Sequence, residues 1–280
     1  MARPSGPAPG GSGPGEGGQA ALPPGPPAFA DRAEAGVLLG AALLRLLRPL
    51  PPARSERDQA GPGRLGRVAD PGSARPCVLA LPRGGVPVAA GIARALGAPL
   101  DVLVVRKIGH PATPELGLGA IAEDGQGGAA EPFFDPGMLA QVGLTRQDLA
   151  GGLAREQAEL ARRVALYTHR GAAAARARGG PAAGPGRTDL AGRLVVVADD
   201  GLATGVTARA ALRSVRARGA AAVVLAVPVA APGALRDLQK ETDEVVTLVT
   251  PRRFSSVGEW YADFGQLTDA DVLTLLAAIP

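Results

Sequence analysis

Short apolar runs alternate with amphipathic stretches along most of the chain. Between residues 29 and 48 the positions Val37, Leu38, Ala41, Leu44 and Leu47 recur at three and four residues, with Arg45 and Arg48 alongside. That spacing predicts an amphipathic helix, which Pro49, Pro51 and Pro52 terminate. Residues 77–81 form the first apolar run, followed by Pro82-Arg83-Gly84-Gly85 and a helical stretch over 86–96 that Gly97 closes. A second run, 101–105, leads through Arg106-Lys107 into a loop with glycines and prolines, and 118–122 is a candidate third strand. Over 145–170 the positions Leu149, Leu153, Leu160, Val164 and Tyr167 share one side of a long helix. Alternation then resumes, with strands predicted at 194–198, 222–227 and 244–249 and helices at 206–218 and 232–240. Apolar runs without polar alternation suit parallel strands covered on both faces. The predicted fold class is therefore α/β, an open and mostly parallel sheet flanked by helices.

Composition refines the boundaries. The chain of 280 residues holds 40 Gly and 27 Pro, and 16 of these fall in residues 1–28, which predicts a disordered Gly/Pro-rich tail. Residues 51–75 and 171–190 read as loose spacers within one domain spanning 29–280. Cys77 is the only cysteine, which excludes an intrachain disulfide and a cysteine-based zinc site. The longest uncharged stretch is 17 residues, 219–235, and contains Pro228 and Pro232, so no membrane span is expected. The N-terminus lacks the apolar core of a signal peptide, and a soluble, cytoplasmic protein is expected. The net charge is +4, but basic and acidic residues are interspersed and Tyr and Trp total three, so nucleic acid is not an expected partner. Only Lys107 and Lys240 of the 30 basic residues are lysines.

Ligands of open α/β sheets bind at the carboxyl ends of strands. The most informative of these junctions reads Val196-Val197-Ala198-Asp199-Asp200-Gly201-Leu202-Ala203-Thr204-Gly205-Val206-Thr207. Two adjacent carboxylates leave a buried strand, and a glycine-containing turn with two threonines opens a helix. Backbone N–H groups at such a turn form an anion site suited to a phosphate monoester, and the hydroxyls of Thr204 and Thr207 add donors. Asp199 and Asp200 would repel that phosphate, and suit the hydroxyls of an attached sugar or a magnesium ion. The alternative is that they merely shape the Asp-Gly turn.

The stretch 196–207 resembles the phosphoribosyl pyrophosphate (PRPP) signature of type I phosphoribosyltransferases: an apolar strand, two acids, three variable residues and Thr-Gly-x-Thr. Leu81-Pro82-Arg83-Gly84-Gly85-Val86-Pro87 resembles that family's pyrophosphate loop, and Arg106-Lys107 resembles the basic pair of adenine- and orotate-type members. Residues 29–280 look most like uncharacterised bacterial stand-alone members of the family, which share the Asp-Asp-Gly-Leu-Ala-Thr-Gly loop and the C-terminal Val-Gly-x-Trp-Tyr-x-Asp-Phe segment. The resemblance implies magnesium-dependent transfer of phosphoribose from PRPP to a nitrogen acceptor, usually a nucleobase, with release of pyrophosphate. It assigns Gly201, Leu202, Ala203, Thr204, Gly205, Val206 and Thr207 to the 5′-phosphate, and Asp199 and Asp200 to the ribose hydroxyls. Arg83, Gly84, Gly85, Arg106 and Lys107 fall to the pyrophosphate, with Arg83, Lys107 and the acid pair as the catalytic set. The segment 108–118 is then a lid, and a homodimer is what the family suggests. A non-catalytic PRPP sensor is the alternative function.

The match departs from 6-oxopurine members at Ala203, where they carry an acid. Glu115 and Glu123 are the replacement acid/base candidates, against a reading as solvated loop carboxylates. Gly201 stands where a branched residue is common. The family builds its acceptor site under a hood from the chain ends, here 29–48 and 251–280. Four of the eight aromatics, Phe254, Trp260, Tyr261 and Phe264, fall within 254–264. Phe254, Trp260 and Asp263 are the candidate acceptor contacts, and packing of a small subdomain is the equal alternative. Asp263 could instead cap the last helix.

Overall fold

The computed structural model describes residues 27–47, 76–177 and 188–278. Its elements in chain order are α1 (Arg32–Leu47), β1 (Cys77–Ala80), α2 (Gly85–Leu96), β2 (Leu100–Val102), β3 (Val105–Gly109), β4 (Gly117–Ala122), β5 (Phe133–Phe134), α3 (Pro136–Val142) and α4 (Ala150–Ala177). There follow β6 (Leu194–Ala198), α5 (Val206–Ala217), β7 (Ala222–Val229), α6 (Pro232–Leu238), β8 (Glu244–Val249) and α7 (Asp269–Ala277).

The central sheet has the order β2-β1-β6-β7-β8, and every pairing in it is parallel. Side chains of successive strand residues point to opposite faces, and both faces here are covered. Val78, Ala80, Val196, Ala198, Val224 and Ala226 join one core with Leu39 and Leu43 of α1 and Ile92 of α2. Leu79, Val195, Val197, Val223, Leu225 and Val227 join the other with Leu212 and Val215 of α5 and Leu238 of α6. The predicted fold class is the one observed.

The run 101–105 is not one strand. β2 ends at Val102, the Leu103 N–H closes on the Ala80 carbonyl at 2.9 Å, and β3 begins a separate antiparallel sheet, β3-β4-β5. The candidate strand at 118–122 is real, but it belongs to this second sheet. Arg106 and Lys107 therefore lie inside β3 rather than at the end of the run 101–105. The small sheet buries Ile108 and Ile121 among Leu149 and Leu160 beside α4, and Val105 and Ala120 beside α5.

The long helix starts later and runs further than its apolar pattern suggests. Thr145 and Asp148 close a turn by hydrogen bonds at 2.8 and 2.7 Å, a 3-10 turn follows at Gln147–Leu149, and α4 continues to Ala177, into the expected spacer. The rest of the tail and spacers, residues 1–26, 48–75 and 178–187, lies outside the described residues. Among the described residues no helix is long and apolar enough to cross a membrane.

Only the first turn of α1 belongs to the expected hood; the remainder packs on α2. Gly36 lies against Val88 and Gly91, and Gly40 against Ala95, Gly91 and Ile92, so the contacts advance together and the two helices run side by side in the same direction. A Cβ at position 36 would lie 2.5 Å from the Val88 carbonyl oxygen. Gly36→Ala is therefore expected to cost about 1 kcal/mol or more, the lower range for overpacking, because α1 is an outer helix that can shift outward; a melting curve measures it.

Candidate functional site

The carboxyl ends of β1 and β6 meet at one point. Leu81 donates its N–H to the Ala198 carbonyl at 2.9 Å, so the loop after β1 lies against the start of the loop after β6. Gly85 sits so close that a Cβ there would lie 2.6 Å from the Ala198 oxygen and 2.9 Å from Asp199 Cα. A Cβ at Gly84 would collide with the Asp200 carboxylate. The Gly-Gly pair thus serves to interlock the two loops. The Gly85 N–H donates to the Leu81 carbonyl at 3.0 Å, so it is a turn bond and is not aimed at a ligand as expected. The Pro82–Arg83 peptide is cis, and Arg83 projects as an exposed side chain.

The turn after β6 is held by its apolar members. Leu202 and Val206 are buried, and the Leu202 N–H donates to the Val229 carbonyl at 2.9 Å. Gly205 takes φ 75°, a left-handed conformation that favours glycine, and α5 begins immediately after it. Ala203 and Thr204 are exposed on the rim and Thr207 is partly so. The first N–H groups of α5 have no partner within the helix, which leaves donors and the positive helix end facing this rim.

Asp199 and Asp200 are both partly buried. Burial, and then repulsion from Asp200, holds the Asp199 carboxyl well above the ordinary carboxylate range, with Lys107 and Arg32 close enough to oppose the rise. Asp200 is raised by burial, against which Arg32 donates a hydrogen bond from Nε to Oδ2 at 2.8 Å. Lys107 is exposed on the face of β3 that looks toward Asp199. Arg106, its neighbour in the strand, points the opposite way and pairs with Glu156 of α4 at 2.8 Å. The basic pair is therefore split, and only Lys107 joins the acids.

The segment 108–118 is the β3–β4 turn with its flanks. His110 accepts the Ala112 and Thr113 N–H groups on Nδ1 at 3.1 and 3.2 Å, and its own backbone N–H donates to the Leu116 carbonyl at 2.8 Å. Glu115 is exposed on this turn. Glu123 is 1% exposed and its carbonyl accepts from Ser214, in the third turn of α5, so it lies well below the rim.

Chain-end residues complete the site. The N–H groups of Ala28 and Phe29 donate to the Trp260 carbonyl, and those of Ala262 and Asp263 return to the carbonyls of Phe29 and Ala30. Phe29, Ala35 and Tyr261 are buried together with Trp260 against them. Trp260 is committed to this packing, and its indole N–H donates to Glu259 at 3.1 Å. Asp263 accepts the Gly265 N–H at 3.0 Å and does not cap α7, which Thr268 and Asp271 close in a capping box. Phe254 is partly buried.

Three contacts that the sequence did not disclose join this hood to the acid pair. Arg32 binds Asp200. The Tyr261 hydroxyl donates to the Asp200 carbonyl at 2.6 Å, and burial with the nearby Asp200 charge raises the phenol far enough to remain a donor. Val257 packs over Gly201, where a Cβ would lie 2.7 Å from it, which explains glycine at that position.

A family model for the phosphoribosyl transferase domain matches residues 68–262. Two curated relatives from Mycobacterium tuberculosis, "Putative phosphoribosyl transferase Rv0571c" of strain ATCC 25618 / H37Rv and "Putative phosphoribosyl transferase MT0597" of strain CDC 1551 / Oshkosh, are each 40% identical over 221 residues. Each match covers 79% of this chain and 46% of the relative, so the chain spans about half their length. The crystal structure of TT1426 from Thermus thermophilus is 37% identical with a TM-score of 0.60, covering 90% of this chain and 98% of that one. The matched span holds both interlocked loops, the acid pair and the β3–β4 turn, and the chain belongs to the phosphoribosyl transferase domain family.

Proposed function

We propose that the protein transfers phosphoribose from PRPP to a nitrogen acceptor of the nucleobase class and releases pyrophosphate. The observation that carries this reading is the convergence of the Asp199-Asp200 pair, the start of α5, the Gly84-Gly85 loop and Lys107 on one rim. The C1–O bond to pyrophosphate breaks with its electron pair leaving on oxygen, C1 bonds to the acceptor nitrogen, and the nitrogen's proton is lost. Positive charge develops on the ribose and negative charge on the leaving group. Lys107 and Arg83 are the cations for the leaving group. The turn from Gly201 to Thr207 holds the 5′-phosphate through N–H groups and the Thr204 and Thr207 hydroxyls, so binding away from C1 positions it. Asp199 and Asp200 receive the ribose hydroxyls. Of the two acid/base candidates, Glu115 alone is exposed, and it is the one retained for the acceptor proton.

The residues also fit a magnesium ion. Such an ion takes one or two carboxylates, keeps several waters and completes its shell with substrate phosphates. Asp199 meets that need, since Asp200 is held by Arg32, whereas among the described residues no group of three or more His, Cys, Asp and Glu could hold a metal by itself. When bound with PRPP it would neutralise charge on the pyrophosphate.

Calorimetry of PRPP with and without magnesium tests the reading, using the Asp199→Asn/Asp200→Asn double variant as control. Asparagine keeps an acceptor oxygen and loses the charge assistance, so the variant should bind about tenfold more weakly. Pyrophosphate release in the presence of one base from a panel would identify the acceptor. Binding without turnover supports a PRPP sensor instead, and absence of binding by the parent protein overturns both.

A further inference from the structure

Arg32 is one of 28 arginines, yet its place is set by main chain. Arg32 is the first residue of α1, and its Nε and the position a Cβ on Gly84 would take both meet Asp200 Oδ2. Its guanidinium is then held from three sides. It lies 3.7 Å from the centroid of the Phe264 ring, Nη1 donates to the Gly265 carbonyl at 3.0 Å, and Nε donates to Asp200 Oδ2 at 2.8 Å. Its side chain is only 12% exposed. Two of the three holds come from the hood itself, so the arginine stands preorganised whatever Asp200 does.

Asp200 is correspondingly fixed. Oδ2 is taken by Arg32 and packs toward Gly84, the carbonyl accepts from Tyr261, and Val257 covers the next residue. Among the described residues the Asp199 carboxylate is held by no guanidinium, and it accepts the N–H of Asp200 at 2.9 Å. The two acids, equivalent in the sequence, are unequal in the fold.

We infer that Arg32 is a positioning residue for ribose recognition, consuming one oxygen of Asp200 and orienting the other, Oδ1, toward a sugar hydroxyl. A carboxylate with one oxygen committed to a fixed guanidinium presents its second oxygen as an acceptor in one direction, which suits a hydroxyl donor. The inference rests on the phosphoribose reading of the site and assigns to it a residue from the hood.

The test compares calorimetric affinities of the full chain for ribose 5-phosphate and for 2,3-dideoxyribose 5-phosphate. The parent protein should prefer the first. Arg32→Ala should weaken ribose 5-phosphate about tenfold, the worth of one hydrogen bond to a charged group, and leave the dideoxy compound unchanged. Arg32→Lys keeps the charge and stem but lacks the planar fork and its stacking, and should show the same selective loss should the alanine variant fold poorly. An unaltered preference in both variants overturns the inference and leaves the phosphoribose reading intact. Equal weakening of both ligands also overturns it, since that is the mark of a merely structural arginine. Failure of the parent protein to bind either compound removes the phosphoribose reading and the inference with it.

Discussion

Alanine at Lys107 is expected to slow pyrophosphate release about a hundredfold or more, the usual loss when one fixed charge or donor facing a transition state is removed. The melting temperature should hardly move, because the side chain is exposed and surface substitutions mostly stay within about 0.5 kcal/mol. Arg106→Ala is expected to do the reverse. It breaks a partly buried ion pair with Glu156, side chains 27% and 26% exposed, worth about 0.2–1 kcal/mol of stability. Its loss of rate should be far smaller than that of Lys107→Ala. The contrast arises because neighbouring residues of a strand face opposite ways. A steady-state assay beside a thermal melt decides it, and a slower Arg106 variant than Lys107 variant would mean that β3 has been given the wrong face.

Gly85→Ala should be the more damaging change to the fold, costing about 3 kcal/mol, the upper end for forcing a methyl into a packed site. The added carbon meets main-chain atoms, Ala198 O at 2.6 Å and Asp199 Cα at 2.9 Å. Those atoms belong to or adjoin β6, which is paired on both edges and cannot retreat. At about 2–4 °C for each kcal/mol, the midpoint of a melt should fall by several degrees. The displaced Asp199 should also weaken PRPP binding. Gly233→Ala is the matched control: apart from its own helix backbone and chain neighbours, no described atom lies within 4 Å of its added carbon, so a change close to zero or slightly stabilising is expected. A Gly85 variant as stable as the Gly233 variant would contradict the interlocked loops.

Much of the fold and of the site is legible in the sequence. Runs such as Leu194–Ala198 carry no polar alternation, as suits a strand buried on both sides. The acid pair and its Thr-Gly turn are contiguous, so local sequence contains their chemistry. What stays hidden depends on distant partners. Arg32 and Asp200 are 168 residues apart, and nothing local distinguishes this arginine from the others. Gly201 has no explanation until Val257 arrives above it. The hairpin misleads for a different reason: Asp101–Val105 is continuous in composition, but β2 ends at Val102 and β3 begins at Val105 in another sheet. The aromatic cluster supports stacking and packing equally, and buried Tyr261 with Phe29 resolves its inner half as packing.

The glycine contacts between α1 and α2 bear on redesign. Gly91 carries an α-carbon whose missing methyl would lie 2.5 Å from the Gly36 carbonyl carbon, so main chain touches main chain there. Between those two glycines no side chain is left to repack and so absorb a change of tilt. Reshaping the hood by re-angling α1 would therefore carry Arg32, at the first turn of that helix, away from Asp200.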